Sequence, residues 1–284
     1  MKEFKKDNLS LYCNDCLRVF PQIPDKSVSM IFADPPYGTT QNKWDEIIPF
    51  ADYVIVDGKK LYEKEFLLKA YQWGLDRKDA VWFWKSHCQH GLWYHMERVI
   101  KDDGIIALWC QSPFDKLLAC SNLPLYRYEW IIEKTSPTGF LNANKMPMKC
   151  HENIMIFYKQ LPSYYPQKTT GHERKVSKAE HKVNCKDSTN YNHHELKSYD
   201  STDRFPRDVL TFKWDKQKES LHPTQKPLEA CEYMIKTYTK ENDMVLDFCM
   251  GSNTTGLAAK NLSRNYIGIE SDENNFEISC KRIQ

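Results

Sequence analysis

Residues 28–38 read Val-Ser-Met-Ile-Phe-Ala-Asp-Pro-Pro-Tyr-Gly, and the rest of the chain is organised around this stretch. The apolar run Val28–Ala33 predicts a buried strand. The strand must end at Asp34, because each of the two prolines that follow lacks an N–H and has a fixed φ. A carboxylate, a rigid carbonyl group and an aromatic ring are therefore expected at the carboxyl end of the strand, where Gly38 lets the backbone turn away.

This turn suits the activation of an exocyclic amine on a nucleic-acid base. The lone pair of such an amine is delocalised into the ring, and two acceptors placed against its hydrogens would localise the pair on nitrogen. The Asp34 carboxylate and the Pro35 carbonyl group are the candidate acceptors, and Tyr37 is a candidate stacking platform. Short motifs also match by chance, so an ordinary proline-rich turn remains the alternative on these residues alone.

A second signal of the same kind lies in the last third of the chain. Residues 244–248 predict a buried strand with Asp247 near its end, a turn of small residues follows, and the next strand ends at Glu270. Small residues at a strand–helix turn let a ligand approach the backbone closely. Glu270 comes 19 residues after Gly251, which is close to the spacing at which a carboxylate binds ribose hydroxyls.

The turn itself reads Gly251-x-Asn253-x-x-Gly256, so asparagine stands where a nucleotide-binding turn has its middle glycine. Asparagine tolerates positive φ better than most other residues. We therefore expect the turn to keep its shape.

Composition limits the class of protein. The 284 residues and the 41% hydrophobic content predict one large α/β domain with an added lobe. No apolar run approaches a membrane span, and the polar N-terminus is unlike a secretory signal, so a cytoplasmic protein is expected. The ten cysteines form no disulfide framework and no zinc-like spacing, so they are interpreted as thiols and no metal site is predicted.

The net charge of +2 hides an uneven distribution. Residues 134–186 hold ten Lys and Arg against three acids, a net charge of +7, which leaves −5 for the rest of the chain. A basic middle segment on an acidic body is typical of phosphate-backbone binding, although a solvated lysine-rich surface gives the same pattern.

Strands and helices alternate on both sides of this basic segment, which predicts a parallel sheet built from βαβ units. Residues 1–159 and 221–284 are expected to form one domain. Residues 160–220 are polar, have little apolar periodicity and are too long for a plain loop, so they predict a substrate-facing lobe. The sequence predicts no role for residues 51–86.

Together these segments resemble the amino-group DNA methyltransferases, which methylate adenine N6 or cytosine N4 with S-adenosylmethionine. The amine-activating turn comes first, a variable segment follows and the nucleotide-type turn comes last, an order similar to that of the β class. The resemblance also covers residues 14–17, 222–227 and 266–272. It implies a three-layer α/β/α fold with a seven-stranded, mostly parallel sheet and an inserted DNA-recognition lobe.

The resemblance also implies the roles of individual residues. The catalytic set is Asp34, Pro35, Pro36 and Tyr37. The S-adenosylmethionine site comprises Asp15, Cys16, Asp34, Lys226, Pro227, Asp247, Phe248, Gly251, Ser252, Thr254 and Glu270. In the basic segment and the loop after the catalytic turn, the candidate DNA contacts are Lys43, Lys145, Lys149, Lys168, Arg174 and Lys175.

The predicted reaction is methyl transfer to N6 of an adenine flipped out of duplex DNA. Aspartate at position 34 favours adenine, since members of the family that act on cytosine N4 more often have serine there. Cytosine-N4 methylation, an RNA or protein substrate, and a binding module without turnover stay open. So do a homodimer and a cognate restriction endonuclease as partners. The mechanism requires the turns near residues 34 and 251 to open into one shared hollow.

Overall fold

A computed structural model of the chain describes residues 2–42, 45–179, 197–213 and 225–284. Its helices are α1 (Cys16–Val19), α2 (Glu63–Gln72), α3 (Arg77–His87), α4 (Leu92–Val99), α5 (Phe114–Ser121), α6 (Leu228–Tyr238), α7 (Thr254–Asn261) and α8 (Glu273–Arg282). Its strands are β1 (Lys2–Lys6), β2 (Leu9–Cys13), β3 (Val28–Ala33), β4 (Tyr53–Val56), β5 (Lys59–Tyr62), β6 (Ile100–Cys110), β7 (Tyr126–Thr138), β8 (Lys149–Phe157), β9 (Lys175–Ser177), β10 (Tyr199–Ser201), β11 (Val209–Phe212), β12 (Met244–Asp247) and β13 (Asn265–Glu270).

One large sheet dominates the fold, with nine of the described strands in the order β1-β2-β13-β12-β3-β6-β8-β7-β11. The neighbouring strands β2, β13, β12, β3 and β6 pair in parallel. Strand β8 pairs antiparallel with both β6 and β7. The predicted seven-stranded, mostly parallel sheet is confirmed. It consists of seven neighbouring strands, in the order β2, β13, β12, β3, β6, β8 and β7. The strands β1 and β11 extend it at its two edges.

The sheet is covered by helices on both faces, which makes three layers. Residues of β3 alternate between the faces: Met30 and Phe32 pack in the cluster that contains α6 and α7, while Ile31 and Ala33 pack with α4 and α5. All four are fully buried. A strand buried on both faces must be apolar at every position, and this explains the continuous apolar run in the sequence.

The site is positioned by a reversal of strand order between β3 and β12. These strands are neighbours, with Met30 opposite Val245 and Ile31 opposite Leu246. The next strand of the sheet after β3 lies on one side, at β6, and the next strand after β12 lies on the other, at β13. Such a reversal leaves a crevice at the carboxyl ends of the strands, where α/β proteins bind ligands.

Residues 51–86 form a small packing unit beside this layer. β4 and β5 pair as an antiparallel hairpin, and α2 packs on α3 around a separate apolar cluster that includes Phe66 and Trp84. The near-helical spacing of apolar residues over 61–75 predicts one amphipathic helix, but α2 is shorter than this range, because Leu61 belongs to β5. The hairpin turns at Asp57 and Gly58, which both have positive φ (50° and 74°), and this turn pairs Leu61 with Val54.

The chain divides into two compact units. The first comprises Met1–Tyr164 and Asp208–Gln284, and the second comprises Tyr165–Arg207. The second unit therefore covers fewer residues than the lobe predicted over residues 160–220, because β11 pairs in parallel with β7 and so belongs to the large sheet. The role of this unit in target recognition stays a prediction.

The second unit has a short antiparallel pair of strands, β9 and β10. The Arg174 guanidinium donates to both carboxylate oxygens of Asp200, at 2.8 and 2.7 Å. Arg204 donates to the carbonyl oxygens of Ser201 and Asp203, at 3.2 and 2.8 Å. Polar contacts of this kind account for much of its described structure. In the part of the chain that the structure describes, no helix has the length and apolarity needed to cross a membrane.

Candidate active site

The turns after β3 and after β12 open into one cavity of about 700 Å³, as the mechanism inferred from the sequence requires. The cavity is lined from the first turn by Asp34, Pro35, Pro36 and Tyr37, and from the second by Asp247, Phe248, Gly251, Ser252 and Thr254. The two predicted halves of the site are therefore brought together.

Asp34 begins the predicted catalytic turn, and both of its oxygens are hydrogen-bonded. The Tyr37 hydroxyl donates to Oδ1 at 2.5 Å, and the Lys226 ammonium lies 3.1 Å from Oδ2. Burial raises the pKa of Asp34, whereas the charge of Lys226 lowers it. Tyr37 stacks on Phe114 with ring centroids 5.0 Å apart, so the position of its ring is fixed by α5.

The loop after Tyr37 is folded around a single buried carboxylate, that of Asp45. Oδ1 accepts the backbone N–H of Tyr37 at 2.8 Å and that of Gly38 at 2.9 Å. Oδ2 accepts the N–H of Thr39 at 2.9 Å and that of Thr40 at 2.7 Å. Burial alone would raise the pKa of Asp45, but these hydrogen bonds lower it. The side chain is therefore ionised and holds four successive amides in place.

The second turn keeps the shape expected of a nucleotide-binding loop. Asn253 has φ 63° and Gly251 has φ 50°, so asparagine does adopt the left-handed conformation expected of it in place of glycine. Glu270 accepts the Gly251 N–H at 2.9 Å through Oε2 and the Asp272 N–H at 2.8 Å through Oε1. Burial raises the pKa of Glu270, and these hydrogen bonds oppose that effect. The carboxylate is fixed at the end of β13 with its oxygens towards the turn.

Asp247 and Arg282 complete this half of the site. The Asp247 carboxylate accepts the Cys249 N–H at 3.1 Å, and burial raises the pKa of Asp247 to about 7. Arg282 of α8 donates to the Ser252 carbonyl oxygen at 2.7 Å and to the Thr254 hydroxyl at 2.9 Å. The last helix of the chain, which the sequence analysis did not predict, therefore braces the turn.

Other predicted cofactor residues have different surroundings. Asp15 caps α1 by accepting the Leu17 N–H at 2.8 Å, and it lines the cavity together with Cys16. Burial raises the pKa of the Cys16 thiol well above its usual value. Pro227 differs from the prediction: it is the buried N-cap residue of α6 and is not among the residues that line the cavity.

Sequence reasoning missed three side chains that line the cavity beside Asp34. Glu152 of β8 lies 2.7 Å from the Lys226 ammonium and 2.5 Å from that of Lys134. The Lys226 ammonium also lies 5.0 Å from the ring centre of Trp109. The available signal was the position of Glu152 close to the apolar run of residues 154–157, but Glu152 and Lys134 were counted only towards the charge of the basic segment.

The predicted DNA contacts are spread over both units. Lys145 and Lys149 are exposed in the first unit, where Lys149 donates to the Ser112 carbonyl oxygen at 3.2 Å. Lys168, Arg174 and Lys175 belong to the second unit. There the Lys168 ammonium lies 4.4 Å from the ring centre of Phe205, and the charge of Arg174 is paired with Asp200. Lys43 lies outside the described residues, as do residues 222–224 of the resembling motif.

This arrangement can place a planar base and a cationic ligand side by side. One half offers an aromatic ring, a carboxylate and a rigid carbonyl group; the other offers three acids, Asp15, Asp247 and Glu270, around a glycine-containing turn. In the described ranges, no group of three His, Cys, Asp or Glu side chains is arranged to hold a metal ion.

Known proteins resemble this chain over most of its length. A family model described as DNA methylase matches residues 28–281. The type II methyltransferase M.HinfI of Haemophilus influenzae is 26% identical over 98% of this chain and 70% of its own length. M2.LlaDCHI, a type II methyltransferase of Lactococcus lactis subsp. cremoris, is also 26% identical, over 99% of this chain and 91% of its own.

Solved structures share the fold at lower identity. The complex of M1.HpyAVI with S-adenosylmethionine has a TM-score of 0.56 and 20% identity, covering 97% of this chain and 99% of that one. The PvuII DNA methyltransferase, described as cytosine-N4-specific, has a TM-score of 0.61 and 16% identity, covering 99% and 88%. Both likenesses concern the fold alone.

Proposed function

The chain belongs to the N6/N4 family of DNA methyltransferases, and from this premise we propose that it methylates N6 of an adenine flipped out of duplex DNA. The observation that carries the proposal is the shared cavity. The Asp34 carboxylate, the Pro35 carbonyl group and the Tyr37 ring line the same hollow as the turn around Gly251.

The methyl donor of this family is S-adenosylmethionine, which supplies an activated methyl group on a sulfonium. The donor set of the second turn fits such a cationic ligand, because Asp15, Asp247 and Glu270 are all acids. Glu270 would bind the ribose hydroxyls, and Asp247 would face the methionine part. The raised pKa of Asp247 fits this role, since an ammonium group nearby would favour its ionised form.

The residues of the catalytic turn would act on the base. Asp34 would accept one hydrogen of the amine and the Pro35 carbonyl oxygen the other, so that the nitrogen lone pair points at the methyl group. Tyr37 would stack on the base and offset part of the few kcal/mol that flipping costs. Positive charge grows on the nitrogen during transfer, and a preplaced carboxylate stabilises that charge. Alignment of the two reactants supplies the rest.

We propose adenine rather than cytosine as the target base because aspartate stands at position 34. The experiment incubates the purified chain with duplex DNA and S-adenosylmethionine labelled on the methyl group, then digests the DNA and identifies the labelled nucleoside. N6-methyl-2′-deoxyadenosine is the expected product, and N4-methyl-2′-deoxycytidine would refute the choice of base. No incorporation into any DNA would refute the proposed activity.

A matched pair of variants tests the mechanism. Asp34→Asn keeps the shape of the side chain but replaces one acceptor by a donor, so methyl incorporation should fall by at least a hundredfold while S-adenosylmethionine binding persists. Asp57→Asn makes the same change in an exposed turn and should leave both unchanged. Equal activity of the Asp34 variant and the wild type would refute the mechanism.

Double-stranded DNA is the proposed substrate, and competition by unlabelled duplex DNA but not by RNA would support it. A substrate of this kind is consistent with the expected cytoplasmic location. A homodimer and a cognate endonuclease remain predictions from the sequence. Sedimentation velocity would test the first, and protection of methylated DNA from an extract of the source cells would test the second.

A further inference from the structure

Four charged side chains form a row from the large sheet to the catalytic turn. Lys134 lies 2.5 Å from Glu152, Glu152 lies 2.7 Å from Lys226, and Lys226 lies 3.1 Å from Asp34. The side chains of the first three are only 9–10% exposed, and that of Asp34 is 27% exposed. The row is neutral as a whole, and each charge in it has an opposite charge next to it.

The elements of the fold hold this row in a fixed position. Lys134 lies on β7 and Glu152 on the neighbouring antiparallel strand β8, where Glu152 faces Ile132 in the register. Lys226 directly precedes Pro227, the residue that begins α6. The ring of Trp109 on β6 lies 5.0 Å from the Lys226 ammonium. Three strands and a helix therefore determine where the ammonium group sits.

Charges that are buried this deeply persist only where they are paired. Burial would raise the pKa of Glu152, but Lys226 and Lys134 outweigh that effect and hold the pKa at about 2. Burial would likewise lower the pKa of Lys226, and Asp34 and Glu152 raise it instead. Glu152 is therefore held ionised and Lys226 protonated, whereas burial outweighs the charge of Lys226 at Asp34 and leaves the pKa of Asp34 raised.

We propose that Lys226 is a positioning residue that keeps the Asp34 carboxylate ionised and correctly oriented for the target amine, and that Glu152 balances its charge. This inference rests on the proposed function. It differs from the expectation from the sequence, which placed Lys226 in the cofactor site. The geometry points to the base side, because the ammonium group lies between the catalytic carboxylate and Glu152.

Glu152 and Lys134 give the row a second property. An isolated lysine against Asp34 would bind the carboxylate tightly and compete with the amine for it. Glu152 takes part of that attraction, since it lies closer to the Lys226 ammonium than Asp34 does. Asp34 can then exchange part of its contact with Lys226 for a contact with the amine.

The groups around Asp34 show that Lys226 opposes the effect of burial on its charge. Tyr37 faces it from its own loop, Glu152 from β8, and Asp247 and Cys249 from the end of β12. Cys231 faces it from α6. These groups are neutral or negative, and Lys226 is the cation in direct contact with Asp34 in the described ranges. Loss of the ammonium charge would therefore favour protonation of Asp34 as the pH falls.

The experiment measures kcat/KM for methyl transfer as a function of pH in four proteins. Lys226→Met removes the charge and keeps most of the volume, whereas Lys226→Arg keeps the charge. Lys236→Met is the matched control, because Lys236 lies on α6, the helix that follows Lys226 in the chain, and is exposed. The fourth protein is the wild type. Calorimetry with S-adenosylmethionine and a thermal melt show that each variant is folded.

Lys226→Met should move the acid limb of the profile to higher pH by about one unit or more, the usual effect of losing an opposite charge at this distance. Its affinity for S-adenosylmethionine should stay within threefold of the wild type. With Lys226→Arg, the acid limb should lie close to its position in the wild type. An additional variant, Glu152→Gln, should move the limb to lower pH and reduce kcat, because Lys226 then binds Asp34 more tightly.

Failures of the two proposals are distinguishable. If the wild type transfers no methyl group, the proposed function fails and the pH profile has no meaning. If the wild type is active and Lys226→Met lowers the rate without moving the acid limb, a packing role explains the loss and the inference is overturned. A loss of S-adenosylmethionine affinity with an unmoved limb would return Lys226 to the cofactor site and also overturn it.

Discussion

Replacing Asp45 by asparagine should disable the catalytic loop while leaving the rest of the fold intact. The Asp45 carboxylate is 6% exposed and accepts four successive backbone N–H groups, from Tyr37 to Thr40. Asparagine keeps one oxygen, which can serve two of these donors. Its NH₂ group would face the other two and cannot accept from them.

The size of the effect follows from the bonds that are lost. A hydrogen bond to a charged group contributes about 1.5–3 kcal/mol, so two lost bonds give an upper limit of roughly 3–6 kcal/mol. Thr39 and Thr40 are exposed, so water replaces part of the loss. About 2–3 kcal/mol should remain. At about 1.4 kcal/mol per factor of ten, this lowers kcat/KM roughly 30- to 150-fold.

The assay is the initial rate of methyl incorporation at subsaturating duplex DNA, with S-adenosylmethionine binding measured separately by calorimetry. We expect the affinity for S-adenosylmethionine to change less than threefold. Asp57→Asn, in an exposed turn with positive φ that asparagine tolerates, is the control. A folded Asp45→Asn variant with kcat/KM within threefold of the wild type would refute the reasoning.

Three further predictions concern the second turn. The folded-state pKa of Asp247 is raised to about 7 from its ordinary 3.8. The free energy of unfolding should therefore fall as the pH rises from about 4 to 7, by roughly 4 kcal/mol at most. Asp247→Asn should flatten this dependence of the unfolding free energy on pH in urea titrations. Gly256→Ala should lower stability by about 1–3 kcal/mol in thermal melts, because the new Cβ would lie 2.0 Å from the Asn253 side-chain oxygen. Arg282→Met should weaken S-adenosylmethionine binding about tenfold in calorimetry, because the Ser252 carbonyl oxygen loses its charged donor.

Two of these predictions have a comparison variant. Asn253→Gly should restore part of the stability of Gly256→Ala, since it removes the clashing side chain and glycine also adopts φ 63°. Lys281→Met, beside Arg282 and exposed, should leave cofactor affinity unchanged. A urea slope of the same size with and without Asp247 would contradict the pH prediction.

Local sequence patterns predicted the parts of this structure that local physics controls. The boundaries of β3 match the predicted range, because a doubly buried strand must be apolar throughout, and α6 begins directly after Pro227, as proline's preference for helix starts predicts. The left-handed Asn253 followed from its tolerance of positive φ. The reversal of strand order then brought the two predicted turns together.

Contacts that depend on distant pairing could not be predicted in this way. Glu152 reaches Lys134 and Lys226 only because β7 and β8 pair in a particular register, which no short stretch of sequence reveals. The spacing of apolar residues extended the predicted helix back to Leu61, although the Asp57-Gly58 pair is itself a hairpin signal. That signal was overlooked, and it decides the structure of residues 53–62.

The four amides held by Asp45 have a mechanical consequence. Because the Asp45 carboxylate accepts hydrogen bonds from the backbone from Tyr37 to Thr40, the Tyr37 ring and the loop that follows it form one rigid segment and cannot shift independently. Any movement of residues 37–40 would therefore have to move the Tyr37 ring as well and break its stacking on Phe114. If the proposed function holds, entry of the base and placement of the Tyr37 ring would therefore be a single motion.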